Sequence, residues 1–194
     1  MAQQTLFTDP PTFVSATGIP VWLLKSTWDP ALVEAIRGHY TGSRGAPFGK
    51  KMAWKVGDAF IGLGEPSFKL APRRRLGLED ARPLEHTVSQ FIFRRLAPYG
   101  PWRGSDLLKA WHEVCEDHWE ARYGWRPVHF ETMVDPECVA SKVPGACYRR
   151  AGYRSLGLTT GRGASRPAGH THGARVWGET SPKLVLYRGP LHRV

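Results

Sequence analysis

The stretch VSQFIFRRL (residues 88–96), followed after a break by SDLLKAWHEVCEDHWEARYG (105–124) and PVHFETMV (127–134), decides the fold. Residues 88–96 alternate well enough to predict a long strand, and residues 127–134 predict another. Between them, apolar side chains recur with a period of about 3.6 residues, which predicts one helix from Asp106 to about Tyr123. We expect Ser105 to cap its N-terminus and Gly124 to end it.

The elements on either side of this unit complete the sheet. They are a strand at 21–25, a helix that starts at Asp29-Pro30 and ends at Gly38, hairpin arms at 52–54 and 59–61, a helix at 145–151, and strands at 153–159 and 183–187. Residues 1–20 are rich in Pro, Thr and Gly without a period, so we expect an irregular arm there and a single domain over 21–194. The element order predicts an α+β fold with a central mixed sheet flanked by helices.

Composition excludes several classes of protein. The three cysteines, Cys115, Cys138 and Cys147, lack CxxC spacing, which argues against a disulfide scaffold or a thiolate zinc site. No apolar run approaches the roughly 18 residues of a membrane span, and the N-terminus lacks the pattern of a secretory signal. We therefore expect a cytoplasmic protein that does not associate with membranes, either as a monomer or as a homodimer.

The charge balance points to a polyanionic partner. The formal net charge is +10 and the isoelectric point is about 9.9. A field of this sign attracts nucleic acid, and we expect DNA, although a merely basic protein is the simpler interpretation. The eight tryptophans could stack on bases, but most of them are expected to serve as packing residues.

Two basic segments are candidate DNA contacts. The first is the run Arg73, Arg74 and Arg75, for which a solvated face is the alternative. The second is the polar loop 160–180, whose candidate residues are Arg162, Arg166, His170, His172 and Arg175. The HxH pair in that loop could bind a metal if a third ligand converged, but phosphate contact is favoured.

The segment YRRAGYRSLG (148–157) resembles part of the GNAT acetyltransferase fold. There a helix carries a tyrosine, ends at a glycine, and is followed by an aromatic residue that starts the next strand. The predicted element order is similar to that fold as well. In that family the helix tyrosine often acts as a general acid beside the departing thiolate, and Tyr148 occupies the matching place.

A longer stretch, from Val128 to Gly163, together with His39-Tyr40 and the residues around Arg94 and Ser105, resembles the Mom family of phage proteins, to which a domain of Druantia-type antiphage systems is related. The matching pieces are His39-Tyr40, Arg94, Ser105, Asp135-Pro136-Glu137, Gly145-Ala146-Cys147-Tyr148-Arg149 and Gly157-Leu158. The family departs from this chain at Gly152-Tyr153, where its members usually have Asn-Trp.

This resemblance implies an activity. Mom proteins add a carbamoylmethyl group to N6 of DNA adenine, which shields phage DNA from restriction enzymes. The resemblance implies catalytic roles for His39, Ser105, Asp135 and Tyr148 and cofactor binding by Arg94 and Tyr40, and a bound divalent metal, iron, has been associated with the family. No Gln/Arg-x-x-Gly-x-Gly/Ala loop occurs, so the sequence argues against coenzyme A binding in the ordinary way and leaves the group donor open.

The chemistry of N6 modification assigns a role to each catalytic candidate. A base must take the amine proton, the leaving group must be stabilised, and the adenine must leave the duplex stack. Asp135 is a candidate base, Tyr148 a candidate acid, and His39 a candidate base, and all three are candidate metal ligands. The alternatives are an Asp-Pro turn, a buried tyrosine with a backbone partner, and a histidine that complements a helix dipole.

The remaining candidates have equally plain alternatives. Arg94 and Arg95 end a strand, so one of them points inward and either binds phosphate on the cofactor or forms a structural ion pair. Ser105 is a catalytic candidate at a helix N-terminus, where a cap and an anion site can coexist. Tyr40 could stack on a flipped base or belong to the core.

We therefore predict a GNAT-like transferase that modifies DNA adenine. A non-catalytic DNA-binding protein of a phage defence or counter-defence system is the alternative, and an acyltransferase acting on a small amine or a protein is a third interpretation. The enzyme interpretation predicts that His39, Asp135 and Tyr148 line one concave pocket flanked by basic surface.

Overall fold

A computed structural model describes residues 10–37, 39, 49–66, 69–97, 100–139, 141–160 and 181–190. The elements in chain order are β1 (Phe13–Val14), β2 (Pro20–Leu23), α1 (Pro30–Arg37), β3 (Lys51–Val56), β4 (Ala59–Gly64), a 3₁₀ helix (Ala71–Leu76), β5 (Thr87–Arg95), α2 (Gly104–His112), α3 (Cys115–Tyr123), β6 (His129–Val134), α4 (Ala146–Arg150), β7 (Arg154–Leu158) and β8 (Leu184–Arg188). In this part of the chain, no helix combines the length and the apolar character that crossing a membrane requires.

The eight strands form one mixed sheet in the order β1-β2-β3-β4-β5-β6-β8-β7. Strands β1 to β5 form an antiparallel meander, and β6, β8 and β7 are antiparallel to one another. Only β5 and β6 pair in parallel among the described strands, and α2 and α3 connect them. The predicted α+β class and the flanked mixed sheet are thus confirmed.

Two apolar clusters lie on opposite faces of the sheet. The larger one includes Trp54, Trp111 and Trp119, all fully buried between the sheet and α2, α3 and α4. On the other face α1 packs through Leu32 and Ile36 against the strands. Helix α1 starts where the sequence predicts, because Asp29 Oδ1 accepts hydrogen bonds from the backbone amides of the first turn at 2.9 and 3.2 Å.

The structure differs from the prediction of one helix over 106–123. Helices α2 and α3 are separated at Glu113 and Val114, whose amides donate to carbonyls three residues earlier at 3.3 and 3.2 Å. This tighter turn interrupts the regular helical pattern. Ser105 does not cap α2: Arg103 is the N-cap residue, and Ser105 lies buried one residue inside the helix.

The N-terminal arm also differs from the expected irregular segment. Residues 1–9 lie outside the described part of the chain, but Phe13–Val14 pairs with β2 as an edge strand. The intervening turn buries Ile19 in the larger core cluster and satisfies its amide through Ser15 Oγ at 2.9 Å. Burial of one apolar side chain and one serine therefore fixes a stretch that has no sequence period.

Candidate functional site

A cavity of about 310 Å³ lies where the parallel strands separate. β5 and β6 pair from Thr87 and His129 as far as Gln90 and Thr132, and beyond these residues the two strands no longer pair with each other. The residues that line the opening include His39, Gln90, Phe91, Phe93, Arg95, Gly104, Thr132, Cys147 and Tyr148. A cleft of this size is at the lower end of the range for small-molecule sites.

One wall of the cavity depends on a β-bulge. Residues 90 and 92 pair with Leu63 and Gly62, so Phe91 is an extra residue in β5. Its ring lies over Gly62, where an added Cβ would stand 2.3 Å from the ring. Gly62 therefore leaves the space that lets Phe91 line the cavity.

Gln90 contributes the most unusual polar group in the wall. The residue is only 5% exposed, and neither Nε2 nor Oε1 has a hydrogen-bond partner among the described residues. A buried carboxamide without partners costs free energy, typically about 1–3 kcal/mol. Its position on the cavity wall suggests that a ligand satisfies it.

His39 lies at the end of α1 and reaches the same cavity. Its amide donates to Ile36 O at 3.0 Å, which continues the last turn of the helix. Burial, and then the nearby charge of Arg94, lower the pKa of His39 to about 4. The imidazole is therefore neutral at physiological pH, the form that can accept a proton.

Tyr148 and Cys147 enter the cavity from α4. Tyr148 is 6% exposed, and its ring packs edge-on against Phe93 at 5.8 Å and Tyr153 at 5.3 Å. Burial raises the pKa of the Cys147 thiol, which therefore stays protonated at neutral pH. The ring of Tyr148 is thus held between Phe93 and Tyr153 at the opening of the sheet.

The side chains of Arg94 and Arg95, at the end of β5, point to opposite faces of the sheet because side chains alternate along a strand, and Arg95 lines the cavity. Its Nη2 donates to Asp58 Oδ2 at 3.1 Å, while its buried Nε has no hydrogen-bond partner among the described residues. Arg94 instead donates to the carbonyl of Ala35 at 3.0 Å, under α1. The cavity therefore receives a guanidinium one residue later than the sequence resemblance implies.

Asp135 follows β6, but its side chain does not line this cavity. It is 3% exposed and accepts hydrogen bonds from Lys183 Nζ, from Ser181 Oγ at 2.9 Å and from the Glu137 amide at 3.0 Å. Burial raises the pKa of Asp135, but these partners, Lys183 foremost, outweigh that effect and lower it to about 2. A carboxylate held this firmly is a weak base.

The described residues do not bring the three predicted metal donors together. His39 and Tyr148 share the cavity, but Asp135 is occupied by the ammonium group of Lys183, which competes with any cation. No group of three or more His, Cys, Asp or Glu side chains in the described ranges could hold a metal ion. The donor set predicted from His39, Asp135 and Tyr148 is therefore not assembled.

The arginine run divides between core and surface. Arg73, predicted as a DNA contact, is 1% exposed and forms a bidentate ion pair with Glu131, at 2.9 Å from Nε and 2.6 Å from Nη2. The 3₁₀ helix turns it inward over β6, so it cannot contact DNA. Arg74 and Arg75 remain exposed.

Most of the other predicted positions lie outside the described part of the chain. Tyr40 lies outside the described residues, as do the loop candidates Arg162, Arg166, His170, His172 and Arg175. Ser105 is described, and its Oγ donates to Asp106 Oδ1 at 3.4 Å. It is buried in the first turn of α2, and it does not line the cavity.

The sequence patterns do not predict a basic aromatic surface that the structure brings together. Lys55 stacks over Trp22 at 4.8 Å, and Lys51 over Trp28 at 5.6 Å, on neighbouring positions of β2, β3 and the loop before α1. Trp28 is 74% exposed. Planar rings interleaved with ammonium groups suit single-stranded nucleic acid. We call Trp22, Trp28, Lys51 and Lys55 the Lys–Trp surface.

The function of this chain is inferred from the geometry of its site. Neither the protein-family models nor the curated proteins contain a match to this chain.

Proposed function

We propose that the protein is a GNAT-like transferase that transfers a small, carbamoylmethyl-like group to N6 of adenine in DNA and so protects the DNA from restriction. The observation that carries the proposal is the cavity at the opening of β5 and β6, which unites His39, Tyr148 and Arg95. The strand order, the single described parallel pair and the helix that carries Tyr148 support the fold part of the proposal.

His39 is the proposed base in place of Asp135. The adenine amine is a weak nucleophile, but its protons become acidic once N6 bonds to the electrophilic carbon of the donor. Neutral His39 takes one of them as the bond between that carbon and the leaving group breaks. Asp135, bound by Lys183 outside the cavity, positions the end of β6 rather than accepting this proton.

Tyr148 and Arg95 are proposed to act on the leaving group, which departs with the bonding electron pair. The Tyr148 hydroxyl supplies a proton or a hydrogen bond to it, and the Arg95 guanidinium stabilises its developing negative charge. The N-terminus of α2 at Gly104 adds a favourable dipole on the same side.

DNA is the proposed substrate because the chain carries a net charge of +10 and presents the Lys–Trp surface. An adenine inside a duplex cannot enter a cavity bounded by strands, so it must be flipped out or presented in a single strand. The Lys–Trp surface can hold the neighbouring unstacked bases while the phosphates contact lysine and arginine.

The experiment is to express the protein with a plasmid in bacteria and to analyse the plasmid nucleosides by mass spectrometry. We expect a new deoxyadenosine species whose mass shift identifies the group. His39→Gln and Tyr148→Phe should reduce its yield, while His86→Gln, outside the cavity, should not. Only ordinary nucleosides, both in the plasmid and after incubating DNA with folded protein and a small-molecule cell extract, would refute the transferase.

The Lys–Trp surface also favours a second candidate, a non-catalytic DNA-binding protein of a phage defence or counter-defence system. That surface needs no reaction to be useful. The same experiment separates the two functions, because DNA binding without a modified nucleoside supports this candidate alone.

A further inference from the structure

We propose that Gln90 is the residue that recognises adenine, by pairing its carboxamide with the N6 amino group and the adjacent ring nitrogen of the base. This inference rests on the proposed function, because it assigns the cavity to the acceptor base. It adds a specificity-determining residue that neither the sequence motifs nor the resemblance indicates.

The first support is the state of the Gln90 side chain. The residue is 5% exposed, and both polar atoms lack hydrogen-bond partners among the described residues. A buried amide that stabilised the fold would be hydrogen-bonded within it. An apolar side chain of similar size would be more favourable at this position, so the carboxamide has a use other than packing.

The second support is where the carboxamide is placed. Gln90 and Thr132 are the last residues at which β5 and β6 pair with each other, so Gln90 stands at the point where the sheet opens into the cavity. Leu63, its partner across the antiparallel pair, belongs to the cluster on the α2 and α4 face, and the Gln90 side chain therefore projects to the same side as Tyr148.

The third support is the aromatic lining beside it. Phe91, Phe93 and Tyr148 all border the cavity, and the Phe93 and Tyr148 rings are fixed edge-to-face at 5.8 Å. Aromatic walls favour a planar ring over a flexible chain. A single polar group with paired donor and acceptor then sets the orientation of that ring.

Glutamine and adenine match in this geometry. The carboxamide presents an N–H donor and a carbonyl acceptor in one plane, and adenine presents an N6–H donor beside N1 or N7 as acceptor. The two hydrogen bonds use only one of the two N6 hydrogens. The second hydrogen remains for removal by His39.

The test is binding of free nucleosides, which requires no group transfer. We would titrate the 194-residue chain with 2′-deoxyadenosine and with 2′-deoxynebularine, which lacks the N6 amino group, in a calorimeter. We expect deoxyadenosine to bind about 5- to 150-fold more tightly, because nebularine leaves the buried Gln90 carbonyl without a partner. In Gln90→Met this preference should disappear, with a melting temperature that is unchanged or higher.

Each outcome decides the proposal. Equal binding of the two nucleosides by the wild type would overturn it without any variant, and so would a preference that survives in Gln90→Met. Binding of acetamide in the same titration, without binding of deoxyadenosine, would overturn it in favour of a carboxamide-bearing donor. A Gln90-dependent preference for deoxyadenosine without any modified nucleoside, either in the plasmid or after incubation of DNA with the protein and the cell extract, would support the adenine site while refuting the transferase.

Discussion

Replacing Arg73 by methionine should destabilise the fold strongly, although a run of three arginines suggests a surface patch. Both members of the Arg73–Glu131 pair have side chains about 2% exposed, and Arg73 also donates to the carbonyl of Ala81 at 3.1 Å. Removing one partner leaves a carboxylate buried without its counter-charge, which costs about 3–5 kcal/mol. For a domain of this size, that corresponds to a fall in melting temperature of about 6–20 °C.

The assay is thermal and denaturant unfolding of Arg73→Met beside two controls. Arg74→Met, one residue away and exposed, should change stability by less than about 0.5 kcal/mol. The double variant Arg73→Met/Glu131→Leu should recover most of the loss, because it removes the buried charge together with its partner. A melting temperature for Arg73→Met equal to that of the wild type would refute the reasoning.

The same variant should respond to pH. Burial raises the pKa of Glu131, while the hydrogen bonds and charge of Arg73 oppose that rise. Without Arg73 the folded-state pKa lies further above that of the unfolded chain, and such a group contributes stability at low pH that is lost as the pH rises. The destabilisation of Arg73→Met should therefore be larger at about pH 8 than at about pH 5.

Three further predictions concern the site and its surroundings. Since the pKa of His39 is about 4, His39 should stay unprotonated between pH 8 and pH 5, and the rate of product formation should fall through loss of this base only near pH 4. A His39-dependent inflection near pH 6.5 in the pH–rate profile would contradict this. Lys183→Met removes the main interaction that lowers the pKa of Asp135. A carboxylate with a lowered pKa stabilises the fold above about pH 4, and this stabilisation is lost as the pH falls toward 2. The melting temperature of the variant should therefore approach that of the wild type on acidification. Trp28→Ala should weaken single-stranded DNA binding in fluorescence anisotropy by about 1–3 kcal/mol, with Trp119→Phe as a core control that leaves affinity unchanged.

The sequence predicts the secondary structure well where local signals agree. The Asp29-Pro30 start of α1, the β3–β4 hairpin, the long strand β5 and the helix before Gly152 follow from capping residues, turn residues and periodicity. These signals are local, so they act before the chain packs. The junction between α2 and α3 carries no comparable signal, because Glu113 and Val114 are compatible with a continuous helix.

The candidate site shows the same division. His39 and Tyr148 were predicted from a resemblance and do share a cavity, whereas Asp135 was predicted with them and does not line it. Gln90 was missed, although a glutamine inside the apolar run VSQFIF is a signal that could have been followed. Whether such a residue is buried without a partner depends on how its neighbours pair across the sheet.

The sequence by itself therefore determined the class of fold, the order of most of its elements and the basic character of the chain. Only the tertiary structure decided which charged side chains are available to bind a ligand. Arg73 is paired with Glu131 and Asp135 with Lys183, and these partners lie 58 and 48 residues away in the sequence. Long-range pairing sets burial, and burial in turn sets the cost of a charge or an unpaired amide. The separation of β5 and β6 beyond Gln90 and Thr132, which creates the cavity, is a property of two strands together and is encoded in neither alone.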